Sequence, residues 1–213
     1  MSLKNIPWIT FVGLAITIGL YPLIYYLADM SNKGLLESKP VTLLKNELWY
    51  TLFYLHITFG GIALLTGWPQ FSLKLRVQYL NTHRLIGKIY IIAVIFSSLS
   101  GLYIACFATG GIVSVLGFGT LAAIWFYTII MAYIFILKGK IEKHQYWMIR
   151  NYALTFGAVT LRLWLPILIG FIFYEFNPAY KIVSWLSWVP NLIIAELLVR
   201  KLKNKSKVLG ETK

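Results

Sequence analysis

Three histidines are the residues of this sequence best suited to bind a metal ion, a haem or an ionisable ligand. His56 lies near the middle of the second of six apolar segments, whereas His83 and His144 lie at the starts of the third and the fifth. Imidazole ligates transition metals and haem iron, and it exchanges a proton near neutral pH. What each histidine can do therefore depends on the side chains that share its helix face.

Each histidine belongs to a helical face of small or polar residues. At 3.6 residues per turn, these faces combine His56, Gly60, Ala63 and Gly67; His83, Gly87, Tyr90, Ser97 and Gly101; and His144, Asn151, Thr155, Ala158 and Arg162. Such faces normally point into a membrane bundle, where they let helices or a flat ligand approach closely. We expect the three faces to converge, either as close helix packing or as the walls of a cofactor pocket.

Arg162 is the most informative single residue, because a guanidinium deep in a bilayer is costly and usually faces the bundle interior with a partner. Counting from the ends of the segments places Arg162 at about the depth of His56. No Asp or Glu lies at that depth. We therefore predict a midplane site of His56 and Arg162, in which the guanidinium meets backbone carbonyls, a tyrosine, or an anionic or quinone-like ligand.

A second group of polar residues is expected at one membrane border. It combines His83 with Arg84, His144 with Arg150, and Glu196 from the last segment. His83 and His144 could hold one haem b between them, with Arg84 and Arg150 beside its anionic edge, or they could hold a transition metal together with Glu196. Glu196 could equally form an ion pair.

Two functional classes follow from these residues. The first is a redox membrane protein that binds haem b or a metal and is linked to quinone. The second is a non-enzymatic protein, either a small-solute permease or an assembly factor, in which His56 and Arg162 bind an anionic solute. The sequence has no Gly-x-Ser-x-Gly, no His-Glu-x-x-His and no P-loop, so hydrolysis is poorly supported.

The composition indicates that transmembrane helices position these residues. Of 213 residues, 59% are hydrophobic and only 13% are charged, which is too little polar surface for a soluble globule. Residues 89–137 carry no charged side chain, which is enough for two spans of about 20 residues each. We predict an all-α bundle of six transmembrane helices near 7–28, 48–69, 84–107, 113–137, 147–173 and 180–199, in a single domain over 1–213.

The positive charges predict the orientation and exclude a nucleic-acid partner. The net charge is +13, but the Lys and Arg residues stand in short connectors and in the 200–213 tail rather than in a patch on a polar fold. By the positive-inside rule both ends are cytoplasmic, in the inner membrane, with the first helix retained. Most of the aromatic residues near the predicted helix ends are expected to be interfacial anchors. They include Trp8, Tyr25, Tyr26, Trp49, Tyr50, Trp68, Tyr146, Trp147, Tyr174 and Tyr180.

Several of these motifs resemble a known family. Five stretches carry the resemblance: Leu55-His56, Gly67-Trp68-Pro69-Gln70-Phe71, His83-Arg84-Leu85-Ile86-Gly87-Lys88-Ile89-Tyr90, His144-Gln145-Tyr146-Trp147-Met148-Ile149-Arg150 and Leu161-Arg162. They are similar to a bacterial membrane family known as domain of unknown function 2306. The resemblance covers about 50–165. It implies a polytopic inner-membrane protein and brings no reaction with it.

Overall fold

The computed structural model describes residues 6–30 and 34–211, except for the side chains of 207–211. Within this part the chain forms six helical segments that are long and apolar enough to cross a membrane, and no strand. We call them spans 1 to 6: Ile6–Leu27, Glu47–Phe71, Leu80–Ala105, Ile112–Leu137, Ile141–Phe173 and Phe176–Ser206. The predicted all-α bundle of six spans is confirmed. Lys4 and the last residues of the basic tail lie outside the described residues.

The spans begin or end up to several residues away from the predicted boundaries. Span 5 starts at Ile141 rather than near 147, and span 6 runs from Phe176 to Ser206 rather than over 180–199. The prediction followed the apolar core, whereas helical hydrogen bonding continues into the polar headgroup region. Consequently His83 and His144 lie inside regular helices and not in loops.

Several spans are interrupted. Pro22 separates the two helices of span 1, Trp68–Phe71 closes span 2 as a 3₁₀ turn, and Pro166 and a π-helical turn lie in span 5. The helices are Ile6–Leu20, Leu23–Leu27, Gly34–Glu37, Val41–Leu44, Glu47–Gly67, Leu73–Val77, Leu80–Ala105, Ile112–Leu137, Ile141–Thr155, Gly157–Leu168, Phe176–Leu186 and Val189–Glu211, with the π turn at Ile169–Phe173.

Span 3 illustrates how the sequence selects the inner face of each helix. Its exposed residues, Leu85, Ile89, Ile92, Phe96, Leu99 and Leu102, recur every three or four positions. The opposite face carries the buried Tyr90, Ser97 and Gly101. Large apolar side chains thus face lipid, and small or polar ones face the protein, as expected where lipid is the solvent.

Spans that follow one another in the sequence pack against each other, and the first and last spans also contact spans that are distant in the sequence. Span 2 packs against span 1 and span 3, span 4 packs between spans 3 and 5, and span 6 contacts spans 4 and 5. A buried cluster that includes Tyr90, Trp125, Tyr152 and Trp188 forms the centre. The three polar faces predicted from the histidines therefore converge inside one bundle.

Candidate functional site

The bundle encloses a cavity of about 750 Å³ that residues of all six spans line. The cavity lies toward the end of the bundle at which spans 1, 3 and 5 finish, and the helix Gly34–Glu37 closes part of it. Its walls are mostly apolar, but His56, Arg162, Glu37 and Lys39 belong to its lining. The predicted midplane pair thus shares one cavity.

Span 3 holds His56 in a defined orientation. The Nδ1 atom of His56 lies 2.8 Å from the carbonyl oxygen of Ser97, while the Ser97 hydroxyl donates to the His56 carbonyl at 2.8 Å. A Cβ atom on Gly101 would lie 2.8 Å from Nδ1, so only glycine leaves room for the ring at this position. The Nε2 atom makes no hydrogen bond within the described part of the chain.

Arg162 is held by its own helix and by aromatic rings. An Nη1 hydrogen is donated to the carbonyl oxygen of Ala158 at 2.9 Å, and the guanidinium carbon lies 4.6 Å from the centroid of the Tyr21 ring. Tyr25 and Tyr180 are also close enough to interact with it electrostatically, as is His56. Among the described residues, Arg162 forms no ion pair. This agrees with the predicted backbone carbonyl and tyrosine partners.

The segment between spans 1 and 2 folds over the cavity. Leu36 is buried, the Ser38 hydroxyl lies 3.0 Å from Thr109 Oγ1, and the Lys39 ammonium donates to the carbonyl of Phe107. These contacts attach residues 34–39 to the end of span 3. Burial lowers the pKa of Lys39 to about 8. The cover of the cavity therefore includes a lysine in an unfavourable environment for its charge.

A buried hydrogen-bond network forms the floor of the cavity. The Tyr90 hydroxyl donates to Asn151 Oδ1 at 2.5 Å, and Asn151 Nδ2 donates to Trp125 O and to Thr128 Oγ1. The indole N–H of Trp125 donates to Thr155 Oγ1 at 2.9 Å. This network joins spans 3, 4 and 5, and Trp125 and Thr155 also line the cavity.

A second cavity, of about 470 Å³, lies on the other side of this network. Thr128, Trp147, Arg150 and Glu196 are among its lining residues. Arg150 binds Glu196 with two hydrogen bonds, of 2.5 Å from Nε and 2.9 Å from Nη2, and stacks on Trp147. Of the two roles considered for Glu196, the ion pair is therefore the one observed.

His83 and His144 interact electrostatically, but that the two rings face each other, as their equal depth predicts, stays a prediction. Nδ1 of His144 lies 2.9 Å from the carbonyl oxygen of Ala132, and Nδ1 of His83 is buried without a hydrogen-bond partner in the described chain. Arg84 is exposed near His83, whereas Arg150 is engaged by Glu196. No group of three His, Cys, Asp or Glu residues suited to a metal ion occurs among the described residues.

The sequence did not identify the tyrosines around Arg162 or the cavity cover. Tyr25, Trp49 and Tyr180 are buried in the bundle, with at most 8% of their surface exposed, so the expectation that most aromatic residues near the helix ends are interfacial anchors does not hold for these three. A ring near a helix end can face lipid or protein, and composition alone does not distinguish the two. The signal available was the spacing of Tyr21 and Tyr25, one helical turn apart on one face of span 1.

The comparisons with known proteins identify a family but no function. The family model described as "Predicted membrane protein (DUF2306)" matches residues 53–199, so the chain belongs to this family. The match confirms the resemblance noted in the sequence and extends beyond 50–165 into span 6. No curated protein and no solved structure matches the chain.

Proposed function

We propose that this member of the family binds a small, mostly apolar molecule in the cavity, with a carbonyl or anionic oxygen of the molecule on Arg162. A lipid-soluble quinone is the ligand class that fits a redox role in the membrane. The observation that carries the proposal is that His56 and Arg162, the two deep polar side chains predicted from the sequence, line the same cavity.

The guanidinium is the first support for this proposal. A charge in the membrane interior is normally paired. Among the described residues, Arg162 donates to one backbone carbonyl and lies over the ring of Tyr21. Its remaining N–H groups make no hydrogen bond within the described chain. A ligand oxygen would supply an acceptor for them, and a charge-assisted bond of this kind is about twice as strong as a neutral one.

The size and walls of the cavity are the second support. Ligand pockets usually measure about 300–1,000 Å³ and combine apolar walls with a few polar groups that fix orientation. The cavity of about 750 Å³ falls within that range. Its aromatic walls, which include Trp49, Phe53 and Trp125, suit a flat ring.

Direct binding in lipid nanodiscs tests the proposal. The probes are 2-decyl-1,4-benzoquinone and decylbenzene, which carries the same tail on a six-membered carbon ring without oxygen. We expect saturable binding of the quinone alone, weakened at least about tenfold by Arg162→Leu, which corresponds to about 1.4 kcal/mol. Arg84→Leu removes an exposed arginine outside the cavity and should leave binding unchanged. Equal binding of both probes, or equal loss in both variants, would overturn the proposal.

A metal or haem on His83 and His144 is a second candidate, supported by the electrostatic interaction between the two residues and by the unpartnered Nδ1 of His83. Neither cavity described above is lined by either histidine, which favours a single transition-metal ion over haem b. Metal analysis and a visible spectrum of the purified protein test it. Bound metal or a Soret band that disappears in both His83→Ala and His144→Ala, but not in His56→Ala, is the expected result.

A small-solute permease is the alternative to a redox protein. Two cavities separated by one polar layer support it, because such a layer could act as a barrier between two openings. Uptake of a labelled short-chain carboxylate into proteoliposomes distinguishes the two classes. Uptake that requires Arg162, without quinone binding, would favour the permease.

A further inference from the structure

We infer that the cavity selects a ligand that donates a hydrogen bond to His56 and accepts one from Arg162, and therefore binds a quinol more tightly than the corresponding quinone. The inference rests on the proposed function and names the chemical form of its ligand. It depends on the hydrogen bonds of His56, which determine where the imidazole proton resides.

The proton of the neutral imidazole is on Nδ1. Nδ1 lies 2.8 Å from the carbonyl oxygen of Ser97, and a carbonyl can only accept. The Ser97 hydroxyl lies 3.3 Å from Nδ1 but donates its hydrogen to the His56 carbonyl, so it cannot donate to Nδ1 as well. Nδ1 is therefore the donor, and Nε2 carries a lone pair.

The imidazole ring of His56 cannot rotate freely to place Nε2 where Nδ1 now lies. Ser97 and Gly101 are one helical turn apart on span 3, and a Cβ on Gly101 would approach both Nδ1 and Cε1 to within 2.9 Å. The Nδ1 edge of the ring is thus packed against the backbone of span 3. The hydrogen bonds of the His56 ring within the described chain involve Nδ1 only, and His56 lines the cavity, so Nε2 is left for a molecule in the cavity.

His56 and Arg162 consequently require different groups on a ligand: a hydrogen-bond donor for His56 and an acceptor for Arg162. A second positive charge on His56 next to Arg162, in a mostly apolar cavity, would be costly, so His56 acts as a neutral acceptor. Arginine is only a donor. The hydroxyls of a quinol both donate and accept, whereas the carbonyls of a quinone only accept and would place an oxygen lone pair against the lone pair of Nε2.

The test compares four probes with the same decyl tail: the 1,4-benzoquinone, its quinol, the quinol monomethyl ether and the dimethyl ether, which has no donor. Binding to nanodisc-embedded protein is measured without oxygen. One neutral hydrogen bond corresponds to roughly a 2- to 10-fold effect. We expect the quinol to bind tighter than the quinone and the dimethyl ether by about that factor, and His56→Leu to abolish the difference while Arg162→Leu weakens every probe.

Nitrogen-15 NMR of histidine-labelled wild-type protein supplies a readout that does not depend on a variant that folds. We expect the His56 signals of an Nδ1–H tautomer, with a change at Nε2 when quinol, but not the dimethyl ether, is added. Equal affinities for quinol and quinone, or an Nε2–H tautomer, would overturn the inference while leaving the proposed function intact. If no probe bound, the proposed function itself would fail.

Discussion

The guanidinium of Arg162 lies over the ring of Tyr21, with its central carbon 4.6 Å from the ring centroid. Tyr21 is at the break in span 1, next to Pro22, where the helix changes course. A cation on an aromatic face is stabilised by about 0.5–2 kcal/mol, most where water is excluded. The contact joins span 1 to span 5 across the cavity.

Replacing Arg162 by leucine should impair function more than folding. Removal of a buried charge eases membrane insertion by about 2–3 kcal/mol on translocon scales, which offsets the lost contact with Tyr21. We expect expression and thermal stability in detergent at least equal to wild type, together with lost ligand binding. His56→Ala should likewise impair function more than folding, through weaker binding of the quinol. Full activity of both variants at normal expression would show that His56 and Arg162 serve only in packing.

Replacing Asn151 by leucine should destabilise the bundle. Asn151 bonds to Tyr90, to the Trp125 carbonyl and to Thr128, and helix-to-helix hydrogen bonds in membranes contribute about 0.6–1.7 kcal/mol each. We expect a loss of roughly 2 kcal/mol in the free energy of unfolding, measured by denaturant titration in detergent micelles.

Ser100→Ala is the matched control for Asn151→Leu. It removes a buried hydroxyl whose partners, the carbonyls of Phe96 and Ser97, belong to its own helix. The stability should therefore change little. A loss in Ser100→Ala as large as that in Asn151→Leu would show that the network has no particular role in joining the spans.

The predicted orientation can be measured with the native cysteine. Cys106 is exposed at the end of span 3 that lies opposite His83. With both termini in the cytoplasm, an impermeant maleimide added to intact cells should label Cys106. In a Cys106→Ser background, Lys140→Cys and Lys203→Cys should react only after the cells are opened. Labelling of these two positions in intact cells would show that the predicted orientation is wrong.

Lys39 should make stability depend on pH in the alkaline range. Its pKa is lowered by burial from 10.5 to about 8, so between these values the folded protein has released a proton that the unfolded chain still holds. Stability contributed by this group therefore rises from pH 8 to pH 10.5. Thermal unfolding in detergent should show that rise diminished in Lys39→Met but unchanged in Lys45→Met, an exposed neighbour in the same connector. Identical pH profiles for wild type and Lys39→Met would contradict the prediction.

The sequence predicted the features that follow from periodicity and from the cost of charge in lipid. The six spans, the convergence of the histidine faces and, among the described residues, the lack of an ion pair at Arg162 are of this kind. It did not predict contacts that depend on which way a connector folds. Lys39 reaches the carbonyl of Phe107 because residues 34–39 return over the bundle, and no local pattern indicates that return.

The cavity walls differ in stiffness. On one side, paired hydrogen bonds between spans 2 and 3 fix His56. On the other, Pro166 has no N–H to offer the carbonyl of Arg162, and the helix then widens into the π turn Ile169–Phe173, which ends at Tyr174 with a left-handed φ of 56°. A Cβ on Gly170 would meet nothing within 4 Å. We therefore expect this outer half of span 5 to move more readily than the His56 wall, so that a ligand of the proposed kind would place tails of different length against span 5 without displacing the imidazole.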